Sequence, residues 1–374
     1  MRIALVGIGL MGGSLGLALR ARTEHDVVGY DPDPGALAQA LERAALSRVA
    51  TSLGEACAGA DVVVLCAPVT ALPAVAAEAL AAAPEDAVVT DIGSTKANVV
   101  ASVRPSDEHR FVGGHPMCGL ETRGIGDARA DLFDGAIWFL TPAERMDPVR
   151  FRRLHGLVVS LGARPVAIAA AAHDSLLAIT SHLPHALANV LATQAAETPI
   201  AGHEPLLSAG GSFRDMTRVA GANSRIWVDI MLDNRVALAT ALRDHRRRVD
   251  DVIGALDAAD EAFLARWIGD AADARRRSVE ASYDAPAIDL WRVSVRLPDR
   301  PGSIMEIAQA LGAARVNIED MVLDHESPEA GGVIELVVRG VPAREAAEEA
   351  LSEAGYGVAS SPLLEGAADP EVVR

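Results

Sequence analysis

The sequence predicts an α/β domain with a doubly wound parallel sheet, then an all-α domain and a small βαββαβ domain. Three observations predict this order. Short apolar runs alternate with helical stretches as far as residue 166, as they do in α/β folds. Long Ala- and Leu-rich helical patterns follow, including residues 173–197, 225–255 and 261–280, and after Pro286 strand-like and helix-like patterns alternate again. We therefore expect domains at residues 1–166, 167–285 and 286–365.

The first domain contains apolar runs that are candidate buried strands, at residues 3–6, 26–30, 62–66, 88–91, 111–113, 136–140 and 163–166. The loop after the run at 62–66 contains Pro68, and the loop after the run at 88–91 contains Ser94 and Lys96. In open α/β sheets, ligands bind outside the carboxyl ends of the strands. We therefore expect both loops to lie at a ligand site.

The first run leads directly into a glycine-rich segment, Gly7-Ile8-Gly9-Leu10-Met11-Gly12. Its three glycines allow, in turn, a tight turn, close approach of the backbone to a pyrophosphate, and close packing of the next helix on the sheet. The helix N-terminus supplies free N–H groups for phosphates. Asp31 ends the second run, where a carboxylate suits a ribose 2′-hydroxyl and would repel a 2′-phosphate. The pattern predicts a Rossmann-type domain that binds NAD rather than NADP through this segment, Asp31 and Pro68.

Composition argues against several classes of protein. The net charge of −17 makes a nucleic-acid partner unfavourable. No run reaches the roughly 18 apolar residues of a membrane span, and the chain begins with a strand pattern rather than a signal peptide. The three cysteines, Cys57, Cys66 and Cys118, are widely spaced and form no CxxC motif. We therefore expect a cytoplasmic protein with unpaired thiols and no metal site.

His115 is the strongest candidate for a catalytic base. It follows the run at 111–113 in the segment Gly113-Gly114-His115-Pro116, where small residues leave room for other groups to approach. A histidine in this place can accept a proton near neutral pH. The alternative is a core histidine that is hydrogen-bonded to the backbone.

Several motifs occur together along the chain: 7–12, Asp31, Ser94 with Lys96, 113–119 with Glu121, His173-Asp174, 181–185 and 213–218. Taken together, they resemble the prephenate dehydrogenases of tyrosine biosynthesis, with an ACT regulatory domain attached. The resemblance covers nearly the whole chain. It implies the oxidative decarboxylation of prephenate by NAD, which gives 4-hydroxyphenylpyruvate, carbon dioxide and NADH.

The resemblance also implies roles for individual residues. His115 would accept the proton of the substrate hydroxyl, and Ser94 would contact the same centre. Arg218 would bind a substrate carboxylate, for which a bidentate guanidinium is well suited. The other substrate-binding candidates are Arg214, where family members carry lysine, and His182, His185 and Glu121.

Other interpretations remain open for several of these residues. Arg218 could form a surface salt bridge, and His182 and His185 could be core residues. A metal site at these two histidines is disfavoured, because Pro184 disturbs the helix between them and no further ligand is near in sequence. Lys96, the only lysine, could contact the cofactor or simply begin a helix, and Trp227 could line the pocket or the core.

Other functions are also open. A β-hydroxyacid dehydrogenase would need a catalytic lysine in the helical domain, and this chain has none there. Arogenate could replace prephenate as the substrate, and a non-catalytic sensor could use the same domains. Apolar helices suggest a homodimer. The resemblance further implies that tyrosine is an effector and binds in the ACT domain around Asp299, Gly302, Asn317 and Ile318.

Overall fold

The computed structural model describes residues 1–119, 122, 124–222, 224–283, 285–327 and 331–364, with 324–327 described by their backbone alone. The chain divides by its internal contacts into two units, Met1–Arg248 and Val249–Arg374. Each unit has a hydrophobic core of its own. The predicted boundaries of the three domains stay predictions. No helix in the described residues is long and apolar enough to cross a membrane.

The first unit is built on an eight-stranded sheet with the order β3-β2-β1-β4-β5-β6-β7-β8. In chain order the strands are β1 Arg2–Val6, β2 Asp26–Tyr30, β3 Arg48–Val49, β4 Val62–Leu65, β5 Val88–Asp91, β6 Phe111–Pro116, β7 Ile137–Pro142 and β8 Arg164–Ala167. All seven predicted strands are present, and β3 is added. Its two residues are too few for a recognisable apolar run.

The prediction of a parallel sheet holds for every neighbouring pair except β6 and β7, which are antiparallel. A parallel connection requires a crossover of a dozen or more residues, usually through a helix. The only helical element in the described part of the connection from β6 to β7 is the 3₁₀ turn Ile125–Asp127. The chain returns beside β6 in the opposite direction, and Ile125 of this connection packs in the buried cluster that also contains Leu15 of α1.

Helices cover both faces of this sheet, which accounts for the continuous burial of its central strands. They are α1 Leu10–Arg22, α2 Pro34–Glu42, α3 Leu53–Cys57, α4 Leu72–Ala82, α5 Ala97–Ser102 and α6 Pro148–Ser160. On one face, Leu15 of α1 and Leu154 of α6 belong to the same buried cluster. On the other face, Leu53 of α3 and Leu72 of α4 belong to a second cluster.

A helical segment follows the sheet. It comprises α7 Ala170–Leu177, the π-helical turn Ala178–His182, α8 Leu183–Glu197, α9 Gly211–Thr217, α10 Ser224–Asp233 and α11 Arg235–Asp257. The predicted helix 173–197 is therefore interrupted by a π turn, which ends just before Pro184, a residue without an N–H to donate. The predicted helix 225–255 is divided at Asn234, whose side chain donates to the carbonyl of Asp174.

The second unit contains α12 Glu261–Tyr283 and then β9 Leu290–Leu297, α13 Ser303–Ala313, β10 Asp320–Ser327, β11 Gly331–Arg339, α14 Val341–Glu353 and β12 Val358–Pro362. The four strands form an antiparallel sheet with the order β10-β11-β9-β12. The predicted succession β-α-β-β-α-β is present. Its assignment to the ACT family stays a prediction.

Candidate active site

The glycine-rich loop is tightly packed on one side and open on the other. Gly7 has a φ of +99°, and a Cβ added there would lie 2.6 Å from the carbonyl oxygen of Cys66. A Cβ on Gly12 would overlap the carbonyl of Gly7, whereas one on Gly9 would meet no atom within 4 Å. Helix α1 begins directly after Gly9, with no side-chain cap and no acidic residue in its first turn. The loop thus leaves an open surface and free N–H groups where a phosphate can bind.

The carboxylate of Asp31 lies against this loop. Its Oδ2 accepts a hydrogen bond of 2.6 Å from the N–H of Ile8, and its Oδ1 accepts one of 2.8 Å from Asp33. Each carboxylate oxygen keeps capacity for a further donor such as a ribose hydroxyl. Pro68 is exposed two residues after Cys66, whose carbonyl lies beside Gly7. The loops after β1, β2 and β4 therefore meet, and Leu10 and Met11 are only partly buried there.

The next loop along the sheet edge carries Ser94, and the strand beside it carries His115. Ser94 follows β5, is half-buried, and finds no hydrogen-bond partner for its hydroxyl among the described residues. His115 lies within β6, adjacent to β5, and is 9% exposed. Both residues occupy the carboxyl-terminal side of the sheet, as ligand-binding residues of such folds do.

Lys96 forms a fully buried ion pair with Asp91. The Nζ of Lys96 also donates to the carbonyl of Gly114 at 2.7 Å, and Oδ1 of Asp91 accepts the N–H of Gly114 at 3.2 Å. Burial lowers the pKa of Lys96, while the charge of Asp91 opposes that shift. The position of Lys96 directly before α5 agrees with one of its two predicted roles, the start of a helix, but its side chain is fully buried. It holds the peptide groups immediately before His115.

Sequence reasoning did not predict this function for Lys96, nor any role for Asp91. The available signal was that Lys96 is the only lysine of the chain, in a sequence that otherwise uses arginine. An acidic residue that ends a buried strand five positions earlier was the second signal.

A chain of hydrogen-bonded groups leads from His115 into the helical segment. Nδ1 of His115 lies 2.9 Å from Nε2 of His173, and Nδ1 of His173 lies 2.8 Å from Oδ1 of Asp174. The carboxylate of Asp174 also accepts the backbone N–H groups of Lys96 and Ala97, each at 2.8 Å, at the start of α5. Two segments that are distant in sequence thus meet behind the candidate base.

The electrostatic surroundings keep His115 neutral. Burial holds its pKa well below the ordinary histidine value of 6.5, and the charge of the nearby Lys96 acts in the same direction. For Asp174, burial acts to raise the pKa, but hydrogen bonds from His173 and from two backbone N–H groups outweigh it and lower the pKa. The arrangement combines a neutral imidazole with an ionised carboxylate.

His182 and His185 lie around Trp227. His185 stacks on the indole with ring centroids 3.5 Å apart, and His182 meets it edge-on at 6.0 Å. Nδ1 of His182 lies 3.1 Å from Nδ2 of Asn234, and burial lowers the pKa of His182 to about 4. Because an amide nitrogen can only donate, Nδ1 of His182 is the acceptor and its proton is on Nε2.

The arginines that are predicted to bind the substrate lie at α9. Arg214 is on α9 and Arg218 directly follows that helix, and both are exposed. Helix α9 packs against α8, which carries His185. Glu121, the remaining substrate-binding candidate, lies outside the described residues. Within the described residues, no group of three or more His, Cys, Asp or Glu could hold a metal ion.

Two models of protein families match consecutive parts of this chain. The nucleotide-binding domain of prephenate dehydrogenase matches residues 15–167, and the prephenate dehydrogenase dimerization domain matches residues 169–270. The chain belongs to the prephenate dehydrogenase family. The predicted family is thereby confirmed, and so is its nucleotide-binding α/β domain, followed by a helical one.

Two curated proteins illustrate the similarity within the prephenate dehydrogenase family. The prephenate dehydrogenase of Bacillus subtilis is 29% identical over 363 residues, which cover 93% of this chain and 95% of that protein. The cyclohexadienyl dehydrogenase of Zymomonas mobilis is 34% identical over 246 residues, which cover 65% of this chain and 84% of that protein.

Solved structures of prephenate and arogenate dehydrogenases have a similar fold. That of Aquifex aeolicus prephenate dehydrogenase, in complex with hydroxyphenyl propionate and NAD+, has a TM-score of 0.69 and 27% identity, and the match covers 75% of this chain and 98% of that one. Synechocystis arogenate dehydrogenase has a TM-score of 0.68 and 28% identity, with 74% and 100% covered. The nucleotide-binding match and the NAD+ of the Aquifex structure both agree with the predicted cofactor.

Proposed function

We propose that this protein catalyses the NAD-dependent oxidative decarboxylation of prephenate to 4-hydroxyphenylpyruvate. The observation that carries the proposal is the nearly buried, neutral imidazole of His115 in the strand beside the Ser94 loop. Oxidation of a ring alcohol needs a neutral base of this kind, since loss of the hydroxyl proton assists departure of the hydride. Membership of the prephenate dehydrogenase family supports the same reaction.

NAD would be held by residues 7–12, Asp31 and Pro68, and it supplies the acceptor for the hydride. The open surface at Gly9 and the uncapped start of α1 fit its pyrophosphate, and Asp31 fits a ribose diol. His115 accepts the hydroxyl proton, and Ser94 orients the hydroxyl. Loss of the ring carboxylate as carbon dioxide then restores aromaticity.

The substrate carries two carboxylates and needs cationic or donor groups to hold them. We assign this role to Arg218, with Arg214, Glu121, His182 and His185 around the pocket. His182 suits it as a neutral donor through Nε2, because Asn234 occupies its Nδ1. Arg214 and Arg218 supply the positive charge in a chain whose net charge is −17.

The test is to follow the absorbance of NADH with the full-length protein and either prephenate or arogenate. We expect turnover of prephenate, and a higher KM for prephenate, but not for NAD, in Arg218→Ala. Arg225→Ala, an exposed arginine on α10, is the matched control. Turnover of arogenate alone would assign the second candidate activity, which the similarity to Synechocystis arogenate dehydrogenase keeps open. Absence of turnover with both substrates would refute the proposed function.

We further propose that tyrosine regulates the enzyme through an ACT domain in the second unit. A cavity of about 340 Å³ is lined by residues 297–305 together with Leu323 and Gly332. It includes two of the four predicted effector residues, Asp299 and Gly302. Of the other two, Asn317 donates to Glu319 and Ile318 packs against the core.

We also propose that the protein is a homodimer. The helical segment leaves large apolar side chains exposed, among them Leu207 at 83%, Val236 at 74% and Met216 at 63%. Exposed apolar surface of this kind is typical of an interface with another chain. The match of residues 169–270 to a dimerization domain supports the same conclusion.

A further inference from the structure

We propose that His173 is a positioning residue that fixes the tautomer of His115, so that the unprotonated Nε2 of His115 is the atom that accepts the substrate proton. The inference rests on the proposed function and adds to it the atom that acts and the residue that sets it. The geometry that carries it is the line of contacts from His115 through His173 to Asp174.

The hydrogen bonds that Asp174 accepts determine which nitrogen of His173 carries a proton. Asp174 can only accept hydrogen bonds, and its two oxygens already receive the N–H groups of Lys96 and Ala97. The contact of 2.8 Å with Nδ1 of His173 therefore requires a proton on that nitrogen. A neutral His173 then presents an unprotonated Nε2 to His115.

The same reasoning fixes His115. Its Nδ1 lies 2.9 Å from the unprotonated Nε2 of His173, so the hydrogen bond requires a proton on Nδ1 of His115. A neutral imidazole has only one N–H, which leaves the lone pair on Nε2. The nitrogen that is free to act as a base is therefore the one that His173 does not contact.

A doubly protonated His173 would reverse this result, because it would donate to Nδ1 of His115 and move the proton of His115 to Nε2. We take His173 to carry a single proton, on the Nδ1 that contacts Asp174, and the nitrogen NMR experiment below tests this directly.

The groups behind His115 are held firmly. The ring of Phe139, which pairs with His115 across β6 and β7, meets His173 edge-on at 5.4 Å and 79°. The backbone carbonyl of Asp174 accepts the side-chain N–H of Asn234 at 2.8 Å. His173 is thus fixed by a ring contact and by Asp174, and it can orient the imidazole of His115 in turn.

The proton balance of the step is simple. The O–H bond of the substrate breaks and an N–H bond forms at Nε2 of His115, while the hydride leaves for NAD. His115 becomes an imidazolium that still donates from Nδ1 to His173. The negative charge of Asp174, one residue further along the line, stabilises that cation.

The test compares three variants of the full-length protein. His173→Phe removes the acceptor, His173→Gln keeps one through its amide oxygen, and His155→Gln is the control at an exposed histidine of α6. We expect His173→Phe to lower kcat by about 10- to 100-fold, a part of the 10²–10⁴ that general-base catalysis contributes. The KM for NAD should stay unchanged, and His173→Gln should recover part of the loss.

Nitrogen NMR of the labelled histidines supplies a readout that a purely structural role would not move. In the unmodified protein near neutral pH, we expect His115 protonated on Nδ1 only, and in His173→Phe a mixture of both tautomers. A proton on Nε2 of His115, or a doubly protonated His173, would overturn the proposal. So would a His173→Phe variant that keeps the full kcat.

Failure of the positioning role of His173 can be distinguished from failure of the proposed function. If neither prephenate nor arogenate is turned over, the function is wrong, yet the tautomer of His115 still decides whether His173 fixes it. If turnover occurs and the tautomer is the other one, the function stands and the positioning role falls.

Discussion

At the scale of single residues, the pH dependence of the enzyme follows from the burial of His115. The base must be neutral to accept a proton, and burial holds its pKa well below 6.5. Protonation, and with it loss of activity, is therefore shifted to lower pH. We expect kcat/KM for prephenate to be constant around neutrality and to fall only on the acid side, well below pH 6.5. An acid limb centred at or above the ordinary histidine value would contradict the assignment.

Replacement of His115 by asparagine tests the same residue directly. The amide can still occupy the site, but it cannot take up a proton. We expect kcat to fall by about 10²–10⁴ while the affinity for NAD, measured by calorimetry, is retained. The residual activity should also lack the acid limb of the unmodified enzyme. An activity loss below tenfold would remove His115 from the role of base.

The buried pair of Lys96 and Asp91 is expected to matter for stability. Lys96→Met leaves the carboxylate of Asp91 buried without its cation, which typically costs about 3–5 kcal/mol. Adding Asp91→Asn removes the stranded charge and should recover much of the loss, since the amide oxygen can still accept N–H groups. Denaturant unfolding of Lys96→Met, and of the double variant that adds Asp91→Asn, measures the free energy of unfolding in each case.

The exposed pair of Arg48 and Asp26, 3.0 Å apart, is the matched control for that comparison. Exposed pairs contribute about 0–1 kcal/mol, so Arg48→Met should have a small effect. If Lys96→Met is no more harmful than Arg48→Met, the buried pair does not hold the segment before His115.

Residue types and motifs predicted part of the site. The setting of His115 between glycine and proline pointed to a base, and Asp31 was found from its position after the glycine loop. His173 was noted only as part of a motif, and Asn234 not at all. Their roles depend on contacts between residues 58 and 52 positions apart in the chain, which no local pattern contains.

At the scale of elements, hydrophobic periodicity predicted which strands and helices exist better than it predicted where they end or in which direction the strands run. Buried strands of α/β sheets are continuous apolar runs, which accounts for six of the seven predicted strands; the seventh, β8, is largely exposed. Whether β7 runs with or against β6 depends on the path of the connection, which has no apolar pattern. The π turn before α8 and the break at Asn234 are local responses to packing and to Pro184, and helical periodicity does not show them.

The β1-α1-β2 element carries a prediction of its own about the cofactor. Asp31 is fixed by the N–H of Ile8, and in the proposed NAD site its charge would repel a 2′-phosphate. We expect Asp31→Ser to reduce the preference for NAD over NADP by about tenfold or more, equivalent to about 1.4 kcal/mol. Comparison of kcat/KM for the two cofactors measures it.

Asp33→Ser is the control for this change. Asp33 caps α2 by accepting the N–H of Gly35, a role that serine can also fill, and the same charge is removed two residues away. Unchanged discrimination in Asp31→Ser, or an equal change in Asp33→Ser, would show that Asp31 does not read the ribose.

At the scale of the whole molecule, the two units are suited to different roles. The first contains the residues assigned to the cofactor, the base and the substrate. The second contains a small antiparallel sheet with a cavity beside the start of α13. Regulation through the second unit requires that an effector bound there alters turnover in the first. This requirement can be tested without removing any part of the chain.

Gly302 is a suitable position for this test, because it lines the cavity and directly precedes α13 with a φ of +97°. Gly302→Asp places a charge in the cavity, whereas Gly302→Ala introduces the same backbone strain without the charge, and an added Cβ meets no atom within 4 Å. We expect both variants to keep turnover of prephenate. Inhibition by tyrosine should be lost in Gly302→Asp and kept in Gly302→Ala, with calorimetry showing the same difference in tyrosine binding. Equal inhibition of both variants would instead assign tyrosine to the substrate site at Arg218, where its carboxylate can compete directly with prephenate.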